Sequence, residues 1–197
     1  MEFRRNYTYL LLIGFFALAC TEIKNEKALS KKPYFDLEGF VEGQISYLDS
    51  LSGLNDKAPV VKRTIAIEGE KETVTLTKEG AEAYPNWKKE LLLFKESDIN
   101  KPVLLQSYEE VKTDSSSIFS AKENSLKVQE LEVVYSGEEV AKIYIELNEE
   151  NYLYTSDKSM YLTVKNGYLD QYAINGYRKL IANDALNYKV TTQLSYP

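Results

Sequence analysis

From Asp36 onward the apolar positions fall on a helical period. Leu37, Val41, Gln44/Ile45, Leu48 and Leu51 follow the i, i+4, i+7/8 spacing of one buried helix face. Asp36 stands at the N-cap position, where a carboxylate accepts from a free first-turn N–H, and Ser52-Gly53 supplies the stop. Gly39 and Gly43 interrupt this helix at a cost of up to about 1 kcal/mol each, so a close approach by a neighbouring strand or helix is expected there. The period then shortens to two. Val61, Arg63, Ile65 and Ile67 alternate with Lys62, Thr64 and Ala66, and a turn at Glu68-Gly69-Glu70-Lys71 leads into Thr73–Thr77, the pattern of a hairpin. A second amphipathic helix is expected in NWKKELLLFKESDINKP (86–102), where Trp87, Leu91 and Phe94 share a face and Asn100 and Pro102 end it.

Beyond Pro102 nearly everything reads as strand: 103–112, 117–122, 126–136, 139–148, 151–156, 159–165, 167–174, 177–182 and 186–195. Ser136-Gly137-Glu138-Glu139 and Lys165-Asn166-Gly167 are the clearest turns, Asn-Gly being a strong hairpin dipeptide. In the last strand Tyr188, Val190, Thr192, Leu194 and Tyr196 share a face, while Ser115-Ser116-Ser117 reads as a loop. Short successive strands with tight turns imply a meander. The predicted fold class is α+β: a single curved antiparallel sheet covered by two amphipathic helices, occupying 34–197.

The N-terminal pattern is different. Arg4 and Arg5 precede an uncharged run from Leu10 to Ala19 that ends at Cys20, the only cysteine. That run is about half the ~20 residues a bilayer span needs, and fits the basic start and short apolar stretch of a secretory signal. Ala17-Leu18-Ala19-Cys20 resembles the lipobox of bacterial lipoproteins, in which cysteine becomes the acylated N-terminus after cleavage; the leucine usual at the first position stands one place later here, at Leu18. The resemblance implies a signal peptide at 1–19 and a lipidated cysteine followed by a polar tether at 20–33. The acyl chains would make the membrane a partner through Cys20, at about 0.8 kcal/mol per buried methylene. The twelve tether residues from Thr21 to Lys32 would reach roughly 40 Å if extended.

Composition narrows the chemistry. The formal net charge of −6 disfavours phosphate backbones, so nucleic acid is not an expected partner. The chain has no histidine, which removes Ser-His and Cys-His catalysis and imidazole metal ligation. No nucleophile elbow, phosphate loop, dinucleotide-binding glycine pattern or calcium loop occurs, and no cofactor or metal site is expected. Glu138-Glu139 and Glu149-Glu150 are adjacent acid pairs at expected turns, where solvated carboxylates are normal; Asp98 reads as a turn residue at a helix end. Carboxylate-only chemistry depends on a separation that sequence does not show. No catalytic residue is assigned.

Tyrosine is the unusual residue. Sixteen occur, most of them from Tyr135 onward. They suit cross-strand pairing, and they equally suit a ligand face, since Tyr combines a large apolar ring with a hydroxyl. The candidate ligand face is Tyr152, Tyr154, Tyr161 and Tyr172, with Tyr152 and Tyr154 expected opposite Leu153.

The blocks PYFDLEGFVEGQISYL, NWKKELLLFKESDINKP and NYLYTS together resemble a family of small Bacteroidota lipoproteins to which no activity is assigned. The resemblance implies a cell-envelope location, and Thr21 after the cysteine implies the outer membrane by the enterobacterial sorting rule. Two functional expectations follow. One is a non-catalytic envelope lipoprotein whose Tyr-rich sheet face binds a protein, glycan or lipid. The other is a carrier of a lipid or other hydrophobic ligand, by fold-level analogy with half-barrel lipoprotein carriers. An apolar cavity of several hundred Å³ would favour the carrier; a solid core with a flat exposed Tyr patch would favour the binding module.

Overall fold

The structure is a computed structural model, and it describes residues 32–54, 56–79 and 84–197. Cys20, the expected signal peptide at 1–19 and the expected tether up to residue 31 lie outside the described residues.

Helix α1 (Leu37–Ser52) forms as its periodicity predicts. The Asp36 carboxylate accepts from Gly39 N, and Leu37, Val41, Gln44, Ile45 and Leu48 form the buried face. The two glycines correct the expectation of close packing. A Cβ on Gly39 would strike the capping Asp36 carboxylate of its own helix, whereas one on Gly43 would meet only open space. The second helix is divided at Leu91 into α2 (Trp87–Glu90) and α3 (Leu92–Glu96), with Asn86 as cap. The i→i−4 bonds continue through the bend, Leu91 N donating to Trp87 O and Lys95 N to Leu91 O. Trp87, Leu91 and Phe94 are buried against α1 and the sheet.

The strands are β1 (Val60–Ile67), β2 (Glu70–Leu76), β3 (Tyr108–Lys112), β4 (Ser116–Ala121), β5 (Val128–Ser136), β6 (Glu139–Glu150), β7 (Tyr154–Lys165), β8 (Tyr168–Leu180) and β9 (Leu186–Ser195). They form one open antiparallel sheet in the order β2-β1-β9-β8-β7-β6-β5-β4-β3. From β3 to β9 this is a meander; the β1–β2 hairpin adds to its far edge by pairing β1 with β9. The Glu68-Gly69 turn has positive φ at both residues, as a two-residue hairpin requires.

Three sequence expectations differ. Residues 103–107 are not strand: Pro102–Leu104 is a 3-10 turn, started by the fixed φ of Pro102. Ser116 and Ser117 belong to β4, and Ser117 is buried. Most tellingly, 151–156 with 159–165, and 167–174 with 177–182, are not four strands but the two long strands β7 and β8. Asp157-Lys158 and Asn175-Gly176 imitate turns. They lie mid-strand because Asp157 pairs with Asn148 and Tyr177, and Gly176 with Lys158 and Tyr188.

One sheet face carries Leu131, Ile143, Ile145, Met160, Leu162, Tyr172 and Leu194, packed beneath the helices in a filled core. Three polar ties fix the helices there. The Asp98 carboxylate accepts from Leu37 N and Glu38 N, capping α1 from outside it. Gln44 bonds Gly167 O and Leu169 N at the β7–β8 turn. Arg63 on β1 pairs with Glu90 of α2 at 2.8 Å, and Tyr172 donates to the same carboxylate at 2.6 Å.

Candidate functional site

The opposite face of the sheet is polar, and strand register determines how its side chains line up. Directly paired residues share a face. One row runs Glu146, Ser159, Asn175, Lys189, Ala66 across β6, β7, β8, β9 and β1. A second runs Asn148, Asp157, Tyr177, Asn187 across β6 to β9 and reaches Glu68, whose N–H donates to Asn187 O at 3.1 Å. Between them lies the row Leu147, Lys158, Gly176, Tyr188, whose side chains alternate to the helix-covered face. All these residues line a single open groove of about 970 Å³, with Glu150, Gln129 and Asn124 at one end and Gly69 at the other. The main chain of the middle row is its floor and the two polar rows are its walls. Because residues from β5 to β1 border one cavity, the sheet is concave there.

The walls are braced. Asn148 Nδ2 donates to Asp157 Oδ1 at 2.6 Å, and Asn175 Nδ2 donates to Ser159 Oγ at 3.2 Å. Each bond spends one amide hydrogen and leaves the amide oxygen and a second N–H for a ligand. The side chains of Tyr177, Asn187 and Lys189 make no hydrogen bond to other described residues. Acidity gathers at the β6 end: Glu130 pairs across the strands with Glu146, which accepts from Tyr144 at 2.5 Å. Burial, and then the charges of Glu146 and Glu132, raise the Glu130 carboxyl above its ordinary value. Burial and the bond to Glu146 push the Tyr144 hydroxyl up to about 12.

The tyrosines singled out from sequence do not share a surface. Tyr172 is 1% exposed in the core, where its pairing with Leu162 turns it toward the helices. Tyr154 begins β7 on that same face, with the Arg178 guanidinium 5.8 Å from its ring centre. Tyr161 is on the polar face outside the groove, accepting from Gln171 Nε2 at 3.0 Å. Tyr152 is 84% exposed in the 151–153 turn, where Asn151 Oδ1 accepts from Leu153 N and Tyr154 N. Strand alternation about Leu153 therefore does not apply to it. The acid pair Glu149-Glu150 is likewise split between faces: Glu149 bridges Lys127 at 2.7 Å, while Glu150 borders the groove.

In the sequence Asp157-Lys158 and Asn175-Gly176 read as breaks between strands, which divides β7 and β8 and hides the alignment of the groove's two rows. The available signal was polar alternation at 146/148/150, 157/159, 175/177 and 187/189, opposite an apolar face. Among the described residues no cluster of three acidic or cysteine side chains is placed to hold a metal ion. Comparison of the chain with family models, with curated proteins and with solved structures gives no match.

Proposed function

We propose that the protein is a non-catalytic cell-envelope lipoprotein, anchored through acyl chains on Cys20 in the outer membrane, that binds a partner on its sheet face. The observation that carries the binding part is the groove: two braced polar rows on a rigid sheet, on the face the helices leave uncovered. Rigid secondary structure holds side chains more accurately than loops do. The filled core under the helices, where Trp87, Phe94, Leu37 and Leu48 have at most 1% exposure, weighs against a carrier of hydrophobic ligand. The lipobox-like Ala17-Leu18-Ala19-Cys20 supports the anchor.

Radiolabelled palmitate incorporation and detergent-phase partitioning test the anchor. Wild type is expected to label and enter the detergent phase, and Cys20→Ala to do neither. Equal partitioning of the two would overturn the anchor. Turnover of an envelope glycan, lost on neutralising one acid of the groove, would overturn the non-catalytic reading.

A further inference from the structure

We propose that the groove takes a short oligosaccharide, uncharged or amine-bearing, laid across the strands with one ring per strand. This rests on the binding-module reading and names the ligand class of that site.

Spacing is the first argument. Neighbouring strands lie ~4.8 Å apart and an extended peptide repeats at ~3.4 Å per residue, whereas linked pyranose rings repeat at close to the strand spacing. A polymer lying across the strands meets one wall pair per strand, from Glu146 and Asn148 on β6 to Ala66 on β1. Over the ~19 Å between those strands a sugar chain stays in step with the walls, whereas a peptide drifts by more than a residue. A peptide lying perpendicular to the strands also cannot join the sheet ladder, the usual source of its main-chain bonds.

Wall chemistry is the second. A sugar hydroxyl both donates and accepts, and so does a carboxamide; a carboxylate accepts from two hydroxyls at once. Asn148 and Asn175 are held in place by Asp157 and Ser159, so little side-chain freedom is lost on binding. Tyr177, at the middle of its row, offers a ring edge or face to the C–H side of a pyranose.

Charge is the third. Glu68, Glu146, Glu150 and Asp157 border the groove, against Lys189; the Lys158 ammonium turns away to Ser156 Oγ. The field repels phosphate and uronate chains and attracts amino sugars.

The test is calorimetric titration of the full chain in detergent micelles with cello-, malto- and chito-oligosaccharides and with chitosan oligomers, using oligogalacturonate as the anionic probe. At least one neutral or amine-bearing series is expected to bind, with affinity rising with length to about five rings, one for each strand of the walls. Asn175→Ala and Asp157→Ala should each weaken it about tenfold, while Thr191→Ala, on the same face outside the groove, should leave it unchanged. Thermal melts verify that each variant is folded. No binding by any neutral or amine-bearing series overturns the proposal, as does tightest binding of oligogalacturonate, or binding indifferent to both groove substitutions. Failure here leaves Cys20 acylation standing. Hydrolysis of a bound chain, seen by chromatography of products, would support the ligand class while overturning the non-catalytic reading.

Discussion

The Tyr188 ring on β9 lies over Gly176, its direct partner on β8, and occupies the space a Cβ at 176 would need. Gly176 is thus a glycine inside a strand because an aromatic ring crosses it, the arrangement in which an aromatic neighbour compensates a strand glycine. Gly176→Ala forces the ring aside and is expected to cost about 1–3 kcal/mol by overpacking. Tyr188→Ala should remove most of that penalty. A thermal-denaturation double-mutant cycle reads the coupling, and additive effects would show that the ring does not constrain position 176.

Asp98 does for α1 what a cap inside the helix cannot do alone. Its Oδ1 accepts from Leu37 N at 3.1 Å and Glu38 N at 3.3 Å, and its Oδ2 from Asn100 N at 3.1 Å. Asp98→Ala strips a buried cap, leaving the Glu38 N–H without its acceptor and the Leu37 N–H with Phe35 O alone, at an expected cost of about 2 kcal/mol. Hydrogen exchange should accelerate first in the opening turn of α1.

Gln44 imitates a strand neighbour, with its Nε2 donating to Gly167 O at 2.9 Å and its Oε1 accepting from Leu169 N at 2.8 Å. Gln44→Leu keeps the bulk but leaves the buried Leu169 N–H unpaired, so a loss of about 1–3 kcal/mol is expected in urea denaturation.

Glu130 provides a pH signature. Its carboxyl is raised above 4.5 by burial and by Glu146 and Glu132, so the folded protein holds that proton more tightly than the unfolded chain does. Its contribution is therefore most favourable below the ordinary carboxylate range and declines as pH rises through 4.5 toward the higher folded value. Glu130→Gln removes the like-charge pairing with Glu146 and should stabilise by about 0.5 kcal/mol at pH 7, with the gain vanishing at pH 3. A gain independent of pH would overturn the electrostatic account.

How far the sequence is legible depends on whether a pattern is local. The α1 face, the Glu68-Gly69 turn and the antiparallel meander follow from spacing of neighbours in the chain, and the structure has all three. The continuity of β7 and β8 does not, because Asp157 and Gly176 are held mid-strand by partners on β6 and β9. The misread positions Asp157, Lys158, Asn175 and Gly176 all lie in the groove. Polar residues recruited to a sheet face carry the composition of a turn, so reading by composition removes them from the strands they furnish. Tyr172 errs the other way: a residue suited to recognition is spent inside, donating to Glu90.

The placement of β1 against β9 governs the order of assembly. Val60–Ile67 is paired along one side by the adjacent β2, but its other side waits for Leu186–Ser195, more than a hundred residues later in the chain. Contacts so far apart close late, because the intervening loop must be ordered first. A chain made or threaded N-terminus first thus carries its opening hairpin as an unfinished edge until the last strand emerges. Until then β1 lacks its second partner, and the groove lacks the parts of its walls that β9 and β1 supply.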